Sequence, residues 1–280
     1  MKTQITLNHR IGRYRNSEQE LFGGMLGDMK TGDLIICDRH FAGANLYVEY
    51  KRAGLEFITP THQRLNIDKL KRIKEYSGGD LVVELPITPK HRRDDPSLPE
   101  NIAVRLIEVK AKVRGKNKIF WLMTSLLDPQ QYPANEIKNL YKKRWKVETL
   151  IEEIKIWLGS DVLRSKTAAG IRKELYARIV AGNLIHWLIL KAAKKHKKEP
   201  DRISTTAATR LINCYTLKMS EAPVKKLNFL YEELLDKIAG SIIPYRPNRV
   251  EPRLKRRDQK HYSILHTSRA QWRKDNGIDP

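Results

Sequence analysis

Apolar and polar positions repeat with two different periods along this chain, and the change from one to the other divides it. Residues 3–7 alternate weakly, as a short strand would. From Asn16-Ser17 onward the text reads as a helix start, with Ser17 and Glu20 at capping-box spacing; the helix is expected to run to about Met29, weakened by Gly23-Gly24. Residues 33–38 form a short apolar run closed by Asp38, which predicts a strand buried on both faces of an α/β sheet. Residues 44–52 read as a helix and 55–59 as the next strand, so strand, helix and strand give parallel neighbours. Beyond about Arg64 the pattern becomes β-rich, with strands expected at 80–88, 102–110 and 119–125 between polar, proline-containing or basic stretches.

The helical period then takes over. Pro133 before the first turn and Gly159 after the last predict one helix near 134–158. Leu140, Val147, Ile151, Ile154 and Leu158 share one arc of it, and Leu150 and Trp157 widen that arc into a face for a core. At its margin Tyr141, Arg144, Glu148 and Lys155 fall within an arc of roughly 60°. Two readings of this stripe stay open on spacing alone: a solvated flank with a routine i,i+4 pair, or a half-buried site. Residues 171–194 predict a long helix covering the sheet, with Leu175, Ile179, Leu184 and Trp187 toward the core and His186 as a packed core histidine. Residues 203–238 give one or two further helices. Residues 244–257 are basic and proline-interrupted, which predicts an extended arm, disordered unless something binds it, either a solvated tail or a contact to a DNA backbone.

Composition narrows the partner. With 54 Lys and Arg against 32 Asp and Glu, the formal charge of +22 far exceeds what solubility requires and points to a polyanion, nucleic acid first. No apolar run reaches the ~18 residues of a membrane span, and the start lacks the apolar core of a signal peptide, so the expectation is a cytoplasmic protein without a membrane partner. Cys37 and Cys214 make neither a disulfide framework nor a zinc site.

The spacing Y-x2-R-x3-E-x6-K over Tyr141, Arg144, Glu148 and Lys155, with Trp145 and Val147 beside it, resembles the signature of the DDE transposases of bacterial insertion sequences, in particular the IS-four family. The segment Gly32-Asp33-Leu34-Ile35-Ile36-Cys37-Asp38-Arg39-His40-Phe41 is similar to that family's segment around its second catalytic Asp, although an Asp after a strand is also a common turn former. The resemblance implies an α/β fold, an RNase H-like mixed sheet with helices, interrupted by an antiparallel β insertion before the Glu-bearing helix, and a helical C-terminal part. On that plan residues 1–63 and 131–198 are the two parts of the catalytic core, 64–130 the insertion, 199–243 the C-terminal helices and 244–280 a basic tail. It also implies roles: Asp38 and Glu148 catalytic and metal-binding, and Tyr141, Arg144 and Lys155 on transposon-end DNA. Mg²⁺ or Mn²⁺ would be the cofactor, double-stranded DNA (element ends and target) the partner, and a homodimer the assembly in the DNA complex. Two-metal phosphoryl transfer needs such carboxylates to hold ions on the attacking and leaving oxygens.

The family's first Asp sits on an opening strand, and no upstream Asp stands in that place. Asp33 lies a strand's length, about 16 Å, from Asp38, and Asp28 precedes that same end. The expectation is therefore an incomplete copy, either a transposase lacking its first Asp or a non-catalytic DNA-binding remnant. Metal-dependent strand cleavage separates the two. A nucleic-acid binder unrelated to transposition would leave the four-residue stripe as coincidence.

Overall fold

The computed structural model describes residues 3–12, 15–113, 116–154, 163–245, 267 and 269–277. In chain order the elements are α1 (Glu18–Gly23), β1 (Leu34–Ile36), α2 (Ala44–Arg52), β2 (Glu56–Pro60), β3 (Lys71–Tyr76), β4 (Asp80–Pro86), α3 (Pro89–Asp94), β5 (Asn101–Val113), β6 (Lys116–Thr124), α4 (Ala134–Lys142), α5 (Trp145–Glu152), α6 (Ala168–Lys195), α7 (Thr205–Ser220), α8 (Val224–Gly240) and α9 (Arg269–Asp275). Ser17 caps α1 as its spacing requires, its side chain accepting from the Glu20 N–H, but the helix stops at Gly23. The backbone entropy of Gly23-Gly24 ends it, and a separate 3-10 turn, Leu26–Asp28, follows.

Six strands form one mixed sheet in the order β1-β2-β6-β5-β4-β3. β1 and β2 are parallel, joined through α2, with Leu34 opposite Glu56 and Ile36 opposite Ile58. All other pairs are antiparallel, beginning with β6 against β2. The β-rich residues after Arg64 thus continue the same sheet. β3, five of whose six residues are exposed, is an addition to the expected strands. β1 is an edge strand of the described sheet, so Leu34 and Ile36 are only half-buried where burial on both faces was expected.

Period-two alternation gives the sheet two covered faces. Ile35, Cys37 and Phe57 point toward α2, where Tyr47 stacks on Phe57 at 4.4 Å between ring centroids. Leu34, Ile36, Ile58, Ile107 and Leu122 point the other way, against Leu126, Ile137, Leu140 and Tyr141 of α4 and the loop before it. That loop is held by a buried guanidinium. Arg105 on β5 donates from Nε and Nη2 to both oxygens of Asp80, at 2.7 and 2.6 Å, and from Nη1 to the carbonyls of Tyr132 at 2.7 Å and Leu126 at 3.3 Å.

A second core is helical. Ile185, Ile189, Ala192 and Ala193 of α6 pack with Ala208 and Tyr215 of α7 and with Leu234, Leu235 and Ile238 of α8. The expectation that α6 covers the sheet is corrected here: it packs on α7 and α8, with Leu184 and Trp187 exposed, Leu175 and Ile179 half-buried as expected, and Ala192 and Ala193 letting the helices approach. Residues 3–7 form no strand either. Asn183 of α6 stands in for a strand partner, accepting from the Thr6 N–H and donating to the Thr6 carbonyl, each at 2.8 Å. α9 belongs to a separate C-terminal unit, 244–280, while the expected extended arm, 244–257, lies outside the described residues beyond Tyr245.

Candidate nucleic-acid interface and acidic site

Asp38 follows β1 at the C-terminal end of the parallel pair, where α/β proteins place their sites. Continuing the alternation, it falls on the α4 side with Leu34 and Ile36. Its carboxylate also does the turn-former's work: Oδ1 accepts from the His40 N–H at 2.8 Å and caps a 3-10 turn, Arg39–Phe41. The strand leading to it is at the edge of the described sheet and not at its centre, which corrects the placement that a buried apolar run suggests.

The predicted single helix is broken. α4 ends at Lys142, α5 begins at Trp145, and 3-10 bonds cross the break, from Arg144 N–H to the Tyr141 carbonyl at 2.9 Å and from Val147 N–H to the Arg144 carbonyl at 2.9 Å. In a 3-10 turn side chains at i and i+3 eclipse, so the break sets Arg144 directly over Tyr141. The guanidinium lies 6.0 Å from the Tyr141 ring centroid and 5.8 Å from that of Trp145, and its Nη2 donates to Glu148 Oε1 at 2.8 Å. Tyr141 is wedged between this cation and Phe120 of β6, whose ring centroid is 6.4 Å away.

Electrostatics tie Asp38 into the same group. Burial raises the Tyr141 phenol above its ordinary value; Arg144 opposes that through charge and a hydrogen bond, and the Asp38 carboxylate adds to it. Burial works against the Arg144 cation, yet the hydrogen bond to Glu148 and the charges of Tyr141 and Glu148 leave it more firmly protonated than usual. The Cys37 thiol is pushed up to about 12, by burial first and then by Asp38, which makes it a packed neutral group and no nucleophile. The structure therefore brings together Tyr141, Arg144 and Glu148 by direct contact, while Asp38 is linked to Tyr141 only through its charge. Lys155 lies outside the described residues. Among the described residues no three His, Cys, Asp or Glu side chains converge as a metal site.

Sequence reasoning missed two contacts that hold α5. Glu153, just past its end, lies 3.1 Å from Nε2 of His186 on α6, and Lys146 near its start pairs with Asp201. His186 is the buried histidine that was expected, but it has an acid partner 33 residues away, which no local spacing reveals.

A strand-end acid and an Arg–Glu helix stripe, on a mixed sheet in a strongly basic chain, define the class as an α/β protein. The chain belongs to the family of the transposase DDE domain, whose model matches residues 2–184. It is also 25% identical over 249 residues to the transposase InsG of insertion sequence element IS4 from Escherichia coli (strain K12), which agrees with the IS-four signature. That match takes in 87% of this chain but 55% of the relative, so the chain spans about half the length of the curated relative it matches. No described helix is long and apolar enough to cross a membrane.

Proposed function

We propose that this chain is the part of a DDE transposase that grips transposon-end DNA and supplies two of the carboxylates for strand cleavage and transfer. What supports the reading is the contact group of Tyr141, Arg144 and Glu148, together with Asp38 at the end of β1 on the α4 side of the sheet. Arg144 would take a phosphate in bidentate fashion, as planar guanidinium does, with Tyr141 packing beneath it. Lys155 would add a point charge further along. Asp38 and Glu148 are hard oxygen donors, and Mg²⁺ takes one or two carboxylates while keeping its waters, so the donor chemistry suits that ion. When bound, such ions would stabilise the attacking and leaving oxygens of phosphoryl transfer. DNA binding of this kind predicts a homodimer on paired element ends.

The site as described holds two of the three carboxylates the family uses. Asp33, at the other end of β1, accepts from the Lys30 N–H, and Asp28 is paired with Arg10. A second reading is a non-catalytic protein that binds element ends. A plasmid-nicking assay on element-end DNA separates the two. On the first reading, a protein carrying additional upstream sequence with an Asp-bearing strand nicks DNA with Mg²⁺ and loses this with Glu148→Gln, while the 280-residue chain binds without cleaving. Absence of metal-dependent nicking in both leaves the binding role. Binding itself is tested by salt titration: Arg144→Ala and Lys155→Ala weaken it and Lys194→Ala changes little, because phosphate contacts at a site and not a diffuse charge dominate. Equal losses at all three positions would remove the site.

A further inference from the structure

We infer that His186 is a positioning residue for the Arg144–Glu148 face, acting through Glu153 on the far side of α5. This rests on the reading of that face as the DNA and metal site. α5 is poorly anchored by apolar packing: Trp145, Val147 and Ile151 are exposed, and Leu150 is only half-buried. What faces the helical core is a single stripe, Lys146, Leu150, Glu153 and Ile154, at the i, i+4, i+7, i+8 spacing of one helix side. Its two ends are charged. Lys146 pairs with Asp201, and Glu153 meets His186, which is 4% exposed on α6. Glu148 lies two residues from Leu150, a turn of about 200°, and so projects from the opposite side of the helix.

The two contacts therefore act as latches at either end of a short helix whose other side carries the site. Leu150, Glu153, Ile154, Ile185 and His186 line one small cavity at this contact, so the Glu153–His186 pair sits where apolar packing is incomplete. Losing a latch frees α5 to roll. A roll of 20° at a radius of roughly 6 Å moves the Glu148 carboxylate by about 2 Å, and errors of 1 Å in a reacting geometry cost on the order of a hundredfold.

The experiment uses the full chain and four variants, His186→Leu, His186→Gln, Glu153→Leu and the double His186→Leu/Glu153→Leu. Amide hydrogen exchange of residues 145–152 is read beside the affinity for a duplex carrying the element end. His186→Leu and Glu153→Leu are each expected to speed α5 exchange about tenfold while β4 and β5 stay protected. The double should add little to either single change, because both remove one contact. DNA affinity falls about tenfold in the same variants, and His186→Gln, which keeps a donor, retains most of it. Unchanged α5 exchange, or equal loosening of α7 and α8, overturns the inference. So does unaltered DNA affinity in the latch variants when Arg144→Ala lowers it. If Arg144→Ala itself leaves affinity unchanged, the reading of the site fails, and selective loosening of α5 still supports the latch.

Discussion

Three arginine–carboxylate pairs in this molecule share one chemistry and differ in burial. Arg105 and Asp80 are 0% and 7% exposed at their side chains, Arg144 and Glu148 18% and 45%, and Arg52 and Asp95 39% each. The first is bidentate, and the guanidinium's remaining nitrogen serves two carbonyls of the loop leading to α4. All three of its nitrogens are used within the fold. The second bonds Glu148 and Tyr141 and lies against two aromatic rings, with its carboxylate 45% exposed. Burial and saturation of donors thus separate a pair that builds the scaffold from one that is available to bind.

The comparison is tested hardest at Asp80. Asp80→Ala leaves the Arg105 cation buried without its counter-charge, which costs roughly 3–5 kcal/mol, whereas replacing both by apolar residues of similar volume should cost far less. Urea unfolding of the two variants measures this. An Asp80→Ala protein as stable as its parent would remove the distinction on which the comparison rests.

At the second pair the expected effects reverse. Glu148→Gln should shift stability by no more than about 0.5 kcal/mol, since exposed i,i+4 pairs contribute little. Arg144→Ala should instead show in DNA binding, reducing the slope of log affinity against log salt by about one. Should Arg144→Ala unfold the protein without altering that slope, the Arg144–Glu148 pair would belong with the structural one.

How far the sequence discloses this depends on range. α2, β1, β2, most of β4–β6, α4, α7 and α8 follow from period and caps because each buries one face within its own length. β3 escaped because Lys71–Tyr76 is an exposed edge strand with no apolar alternation to detect. The break at Lys143–Arg144 carries neither glycine nor proline and so leaves no local mark. α6 was assigned to the sheet with Leu184 and Trp187 inward, whereas its partners are α7 and α8 and those two residues are exposed. In the site, Tyr141, Arg144 and Glu148 were visible as a stripe on one helix. Asp38 was visible as a strand end, but the Glu153–His186 and Asp80–Arg105 contacts join residues 33 and 25 positions apart and depend on packing.

The smallest effect is expected at the third pair, and it asks what an exposed ion pair does. Asp95 follows α3, and its carboxyl is held at about 2, against an ordinary 3.8, first by the Ser97 hydroxyl, then by Arg52 and the Ser97 N–H. Because the folded value is depressed, the stabilisation is present above the ordinary value and is lost as pH falls from about 4 toward 2. Asp95→Asn should remove that part of the acid-unfolding slope and leave the curve above pH 5 parallel to the parent's. The partners can be ranked by NMR titration of the Asp95 carboxyl. Ser97→Ala should raise its midpoint more than Arg52→Ala does, since a short hydrogen bond from a neighbouring turn survives solvent screening better than an exposed charge pair. A larger rise with Arg52→Ala would mean that exposed guanidinium–carboxylate pairs carry more weight here than burial allows, and the grading of the three pairs would then have to rest on geometry instead.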